Sequence, residues 1–526
     1  MTFFLAHNLS IVYFRQVKYI GVCILVLQIS FAGYTQQNTL FLNNFYRDRA
    51  IIHDDNLLPS VWPVYESQLD LNKKIADSSR QYYELTEILF KKHLVEAKGK
   101  NYFIGISPLV DLSMGKDNID TNERKLFQNT RVFIAEVDLG DKFSFSTSFF
   151  ENQGRYANYQ TEYYKSIGEL YPGASNYNTQ NAMIPGASRT KPFSEDGFDY
   201  AFARGNMIYQ LAKTTWISAG NTPHFIGNGY RSIVLSDNSI STPFFRIDQG
   251  VGKFDFLMIR SRLINLMRRP VSTTVEATYE TKAYSLNMVS YRPFKNLKLS
   301  VFESTVWSKG DSINVHAVHP AYYSPVPLSG SVLAPDSMRN SMVGFDLCFK
   351  PTNHVLLYGQ YALTTWETKK YAIQMGARLY SLFNQKDLMF QIEWNQASNG
   401  MYEHTDARLN FSNGNTPMAL IKGNGFNELI VRANYEWKRI YADYKLNFYR
   451  LYEHNSIALL PVEKQSVQVS GNVIFNQLEI GCRFNRKINL DLFASVTIRS
   501  VSYEEPNSMI IQVGLKTAIL NSYIDF

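Results

Sequence analysis

From about Gly99 to the last residue, apolar and polar side chains alternate with a period of two. That period belongs to strands with unlike faces, not to helices. Within Lys142–Phe149, Phe143, Phe145 and Phe149 fall on one side and Ser144, Ser146 and Ser148 on the other. Asn427–Trp437 sets Leu429, Val431, Ala433, Tyr435 and Trp437 against Arg432, Asn434 and Glu436. Ile440–Tyr449 sets Ile440, Ala442, Tyr444, Leu446 and Phe448 against Tyr441, Asp443, Lys445 and Asn447. In Ile488–Arg499, Ile488, Leu490, Leu492, Val496 and Ile498 oppose Asn489, Asp491, Ser495, Thr497 and Arg499. A soluble sandwich also alternates, but these stretches run about 9–12 residues, the length of a tilted membrane strand. They also carry charges in mid-strand opposite faces rich in large aromatics.

Composition allows the same reading. Charged residues make up 19% of the chain, below the roughly 25% of soluble domains. The 35 Phe and 34 Tyr far outnumber the 6 Trp. A mean hydropathy of −0.22 suits a barrel whose strands face lipid on one side and a polar interior on the other. The net charge of +7 comes with no dense basic cluster of the kind a nucleic-acid module carries. It reads as a mixed solvated surface, or as a patch that attracts an acidic polymer.

Arg15 and Lys18 precede an apolar run from Tyr19 to Phe31, and Ser30-Phe31-Ala32 supplies small residues for cleavage. This order predicts an export signal over residues 1–32. An uncleaved anchor is the alternative, but the run is short of the ~20 residues a spanning helix needs. Cys23 lies inside the run, and Cys348 and Cys482 sit in alternating strands, where buried or lipid-facing thiols are expected rather than a disulfide. Residues 33–100 are expected to be periplasmic: irregular over Gln36–Pro63, then helical over about Leu69–Lys98. In that helix Ile75, Tyr82, Leu85, Leu89 and Phe90 share a face, and Lys98-Gly99 is the stop.

Residues 101–526 then form the barrel. Closure follows because an open edge in hydrocarbon leaves backbone groups unpaired. The expected fold is all-β, a transmembrane antiparallel β-barrel of about 16–20 strands, with about 18 favoured, and a small N-terminal helical periplasmic segment. Turns are short on one side and loops long on the other, as after Trp437 and Tyr449 respectively. A phase change near Asn476 predicts a β-bulge. The last strand is expected over Met509–Phe526, with Phe526 as a terminal aromatic read by the barrel-insertion machinery.

The most distinctive run is Phe225–Asp237, FIGNGYRSIVLSD. Gly227 and Gly229 allow a tight bend, and Tyr230, Arg231, Ser232, Ser236 and Asp237 supply aromatic and polar groups. The strand-to-helix setting of a dinucleotide site is missing. This run resembles the Wzi-like capsule-assembly family, and within it the RemB-type proteins of Bacteroidetes associated with gliding motility. Leu357–Tyr361, Glu393–His404, Asn415–Ala419 and Gly423–Gly425 before Glu428 are similar to further family segments. The chain departs from the family at Leu420, where a His is usual, and at Thr364 and Thr365, where an acidic residue is usual.

The resemblance implies an outer-membrane barrel that holds capsular or exopolysaccharide at the cell surface, or a protein of the gliding surface. Sugar recognition needs aromatic faces and hydrogen-bonding groups on outer loops. Tyr322 and Tyr323 in the loop Ser308–Asn340, and Tyr402, His404 and Arg408 in Ala397–Asn427, are the candidates. The other reading of these residues is that they pack over the barrel mouth. His316 and His319 lack a nearby third ligand, so no metal is expected. No serine elbow, carboxylate pair or zinc motif accompanies His404, Glu403 and Asp406, so neither catalysis nor a cofactor is expected. A pore for small solutes, or a structural partner in a motility or secretion assembly, shares the same architecture. Lipid, a surface glycan and the insertion machinery are the expected partners of a monomer, with no nucleic acid among them.

Overall fold

The computed structural model describes residues 42–53, 58–65, 93–120, 124–172, 177–268, 279–308, 319–334, 338–365, 370–382, 387–456, 459–462, 470–485, 490–517 and 519–526. The expected signal over 1–32 lies outside them, as does most of the expected helix over 69–98.

The wall begins with β1 (Tyr102–Asp117), β2 (Lys125–Leu139) and β3 (Phe143–Arg155). It continues through β4 (Gly197–Ala212), β5 (Thr215–Asn221), β6 (Pro243–Val251) and β7 (Phe254–Arg268). Next come β8 (Tyr279–Phe294), β9 (Leu297–Trp307), β10 (Arg339–Thr352) and β11 (Val355–Thr364). The last are β12 (Tyr371–Tyr380), β13 (Leu388–Ala397), β14 (Asn424–Trp437), β15 (Ile440–Ser456), β16 (Gly471–Asn485), β17 (Leu490–Val501) and β18 (Ser508–Thr517). Each pairs antiparallel with the next, and β18 pairs with β1, closing an 18-strand barrel. Closure removes the sheet edges that lipid could not satisfy.

The alternation is realised along the wall. On β13, Gln391, Glu393 and Asn395 are buried inside while Ile392 is exposed outside. On β17, Asp491, Ser495, Thr497 and Arg499 are inside, with Leu492, Val496 and Ile498 outside. Phe149, Phe256, Phe345, Met375, Leu429, Phe448 and Ile480 extend this exposed apolar surface around the barrel. An apolar surface of that extent on a closed antiparallel barrel is a lipid band. The chain is an outer-membrane β-barrel. Short turns (140–142, 213–214, 252–253, 295–296, 353–354 and 438–439) alternate with long loops (156–196, 222–242, 308–338 and 398–423). The long loops mark the outer side.

The structure corrects several local expectations. The stretch read as irregular contains helix α1 (Asn44–His53), and the end of the expected helix is a strand, Val95–Lys98, paired with β1. The described part of the N-terminal segment is not a separate periplasmic unit: α1 and residues 58–65 pack inside the barrel, as the contacts below show. β16 has no bulge at Asn476, since its register with β15 and β17 runs unbroken from Val473 to Cys482. The apparent phase change arises because Val473 and Phe475 point inward although apolar, while Asn476, on the outer face, accepts from the Tyr444 hydroxyl at 3.1 Å. β18 stops at Thr517 rather than running to Phe526. Residues 519–526 turn into the lumen, where Ile519 packs on Leu109, Val132, Ile134 and Phe150. Phe526 is thus a buried interior residue, not a terminal aromatic on the lipid face. Cys348 is buried and Cys482 half-buried, and both are free thiols.

Candidate functional site

The lumen is occupied from both ends. On the side of the short turns, α1 and residues 58–65 pack as Leu42, Ala50, Ile51, Leu58, Trp62 and Val64 against Cys348, Leu356, Tyr380 and Met389 of the wall. Asp48 of α1 pairs with Arg378 at 2.5 Å and Arg432 at 3.1 Å, so two wall guanidiniums share one carboxylate. From the outer side, the loop between β5 and β6 folds inward and carries Phe225–Asp237 with it. Phe225 meets the cluster around α1, and Val61–Trp62 forms a two-residue ladder with Phe225–Ile226.

The polar groups of this loop are held by the wall. The backbone N–H groups of Tyr230 and Arg231 donate to Glu393 at 2.6 and 3.0 Å. Gln360 on β11 accepts from Ile233 N and donates to Ile226 O, both at 3.1 Å. Gln374 on β12 donates to Arg231 O, and Asn228 donates to Pro59 O. Gly227 adopts φ +105°, and a Cβ there would lie 2.3 Å from Gln360 Nε2. Glycine is therefore required both by the backbone and by the close approach.

Arg231 is the centre of the arrangement. Its guanidinium pairs with Glu428 of β14 at 2.9 Å and also bonds Asp525 and the Tyr449 hydroxyl. The Tyr230 hydroxyl donates to Asp525 at 2.6 Å, and Lys445 pairs with the same carboxylate at 3.1 Å. Burial works to raise the Asp525 carboxyl, but Arg231 and Lys445 hold it below its ordinary value. Asp237 receives Tyr523 Oη at 2.7 Å and Asn521 Nδ2 at 2.8 Å. The tail 519–526 therefore ties the in-folded loop to the wall. A buried charge is tolerated only when paired and hydrogen-bonded, and here the pairs join separate chain segments.

The run Phe225–Asp237 is thus a structural core and presents no free surface: Gly227, Gly229, Tyr230, Arg231, Ser232, Ser236 and Asp237 are all buried. Ser232 caps its own turn, accepting from Val234 N and Leu235 N. The loop 398–423 lies over it from the outer side, with Ser236 N donating to Met418 O and Tyr402 Oη to Ile233 O. Helix α2 (Asn158–Ser166) closes over the tail: Tyr159 donates to Ile524 O, and the Tyr163 ring meets Phe526 edge-on at 5.0 Å.

The candidate ligand residues are not gathered into one site. Tyr402 and His404 are buried in the loop packing, and His404 Nδ1 accepts from Asp406 N. Leu420 is buried there too. Arg408 is exposed beside Asp406 and 3.6 Å from Glu280. Tyr322 is buried flat on Trp307, with ring centroids 4.8 Å apart, and Tyr323 is exposed. As exposed sugar-stacking faces, Tyr322, Tyr402 and His404 are therefore corrected. Their aromatic bodies are consumed by packing. His316 lies outside the described residues. Among those described, no group of His, Cys, Asp or Glu has the makings of a metal site.

An outer-rim cleft was missed in the sequence. It has a volume of about 250 Å³ and is lined by Ser188, Arg189, Phe202, Asn221, Ser241 and Tyr279, among others. Beside it Glu169 accepts from Arg189 at 2.9 Å, Arg268 at 2.5 Å, the Tyr279 hydroxyl at 2.5 Å and Asn181 at 2.9 Å. Burial works to raise this carboxyl, but those four donors bring it down to about 2. The cleft combines aromatic faces with fixed donors, the chemistry a sugar ring needs. Its residues come from the loop 177–189, from Ile240–Ser241 and from the outer ends of four strands, so no sequence spacing announces it.

No family model and no curated protein matches the chain. Among solved structures, it is similar to Wzi of Escherichia coli, described as a carbohydrate-binding outer-membrane β-barrel involved in group 1 capsule assembly. The TM-score is 0.55 at 13% identity, covering 91% of this chain and 99% of that one. OccAB4 of Acinetobacter baumannii superposes with a TM-score of 0.44 at 8% identity, covering 80% of this chain and 98% of that one. A BenF-like porin from Pseudomonas fluorescens gives 0.42 at 9%, covering 78% and 97%.

Proposed function

We propose that this outer-membrane barrel is a non-enzymatic anchor that holds a surface polysaccharide on its outer face. The carrying observation is the filled lumen. Barrels of 16–18 strands with empty interiors leave an aqueous channel. Here α1, the in-folded loop, the loop 398–423 and the tail occupy that space; buried ion pairs lock α1, the in-folded loop and the tail to the wall, and hydrogen bonds from Lys282 and Asn340 hold the loop 398–423. Such an interior favours an anchor over a solute pore. The fold likeness to a carbohydrate-binding barrel and the resemblance of Phe225–Asp237 point the same way. The outer-rim cleft around Tyr279 and Arg189 is the place for a sugar residue, in preference to the packed Tyr402 and His404.

The test is a deletion strain stained for surface glycan. Loss of glycan from the cell surface into the medium, restored by the wild-type gene, is expected. Retained glycan with impaired cell spreading would instead favour a structural role at the gliding surface, the finer reading that the motif resemblance suggests.

A further inference from the structure

In the outer loop between β9 and β10, the described residues 319–334 do not stand over the mouth. Strand parity shows this. On β9, Phe302, Ser304 and Val306 face the interior, with Ser304 bonded to Tyr284 across the lumen face of β8. Glu303, Thr305 and Trp307 therefore point outward, as Leu299 and Val301 do further along the same strand. Leu299 and Val301 are exposed, yet Glu303, Thr305 and Trp307 are buried. What buries them is the segment 319–334. Tyr322 stacks on Trp307, and Ser331 donates its N–H and its hydroxyl to Glu303. Ser285 and Asn287, outward-facing on β8, donate to Tyr322 O and Ser324 O at 3.0 and 3.3 Å, and Arg260 reaches Ser324 O at 2.7 Å. The segment lies down the outside of the wall and covers a polar strip that would otherwise meet the membrane.

Its own outer surface is apolar. Pro320–Ala334 contains no charged residue. Tyr323, Val326, Leu328, Val332 and Leu333 are exposed on it, Val332 at 73%. This surface continues the exposed apolar band of the same strands, formed by Leu299 and Val301 on β9 and by Phe345 and Leu347 on β10. We infer that the segment 319–334 is a membrane-contacting flap: it satisfies the polar strip beneath and offers Val326, Leu328, Val332 and Leu333 to the acyl chains of the surrounding lipid. Two facts argue for lipid over an aqueous partner: the absence of charge along the segment, and its continuity with the lipid band.

The test uses the full-length protein, folded as judged by its heat-modifiable gel mobility, in vesicles of brominated phosphatidylcholine. V332W and V326W are compared with wild type, and E195W, in an exposed outer turn, serves as the aqueous control. Emission added by V332W and V326W is expected to fall by at least half in brominated lipid and to resist iodide, with E195W showing the reverse. Iodide quenching of V332W and V326W without bromolipid quenching would overturn the inference. So would efficient V332C cross-linking between barrels, which would make a second copy the occupant.

Discussion

Arg231 and Glu428 form a 2.9 Å ion pair, exposed at only 3% and 1%, that joins the in-folded loop to β14. Asp525 of the tail completes the arrangement. Removing one member of such a group strands the others in a buried site, a loss of about 3–5 kcal/mol. R231M is expected to lower the thermal unfolding midpoint in detergent and to release the tail, making residues near Ile519 accessible to protease. R231M/E428Q should recover part of the loss, because one stranded carboxylate is then neutral. An unchanged midpoint in R231M would mean that the ion pair does not hold the loop.

Gly227 faces a different constraint. Its φ of +105° and the 2.3 Å approach to Gln360 leave no place for a side chain. G227A should therefore destabilise the loop by about 1–3 kcal/mol from backbone conformation alone. G227A with Q360A relieves the contact but not the backbone, so only partial rescue is expected in the same unfolding measurement.

The outer-rim cluster carries a pH dependence. The Glu169 carboxyl lies at about 2 in the folded protein, below its ordinary value of 4.5. A carboxyl depressed on folding contributes stability that is fully present above the unfolded value and is lost as pH falls through the folded one. Protection factors for hydrogen exchange in residues 177–189, corrected for the intrinsic pH dependence of amide exchange, should thus be unchanged from pH 7 to 5 and fall progressively below about pH 4. E169Q should show low protection factors at all pH values and lose the dependence.

Removing the inner plug tests what fills the lumen. Deletion of residues 42–65 takes away Asp48 and the apolar contacts of α1 with Tyr380 and Met389. Purified barrels lacking this segment should show frequent current steps in planar bilayers, because the in-folded loop then loses the ladder and hydrogen bonds that seat it, and an 18-strand wall opened in this way is wide enough for water and ions. Silence of the deletion variant would mean that the outer loops seal the barrel alone.

Much of the wall was legible in the sequence because each strand meets lipid outside and polar groups inside, and that contrast has a period of two. The faces of β14, β15 and β17 follow directly from it. The interior was not legible. Asp48, Gln360, Glu393, Glu428 and Asp525 lie far apart in the chain and find their partners only when α1, the loop and the tail fold inward. Mid-strand charges at Glu393 and Glu428 were the visible trace of partners still to be found. The tail misled for a related reason. Phe526 reads as the terminal aromatic of the last strand until the Tyr163 ring is seen to receive it inside. Tyr322 and Tyr402 misled as well, since an aromatic on a long loop serves packing as readily as recognition.

A closed anchor and an open pore differ in conductance. Full-length protein, purified in folded form and inserted into planar bilayers, is predicted to give current indistinguishable from background across the voltage range. A steady, ohmic conductance from the full-length chain would mean that the lumen is open and the barrel a pore.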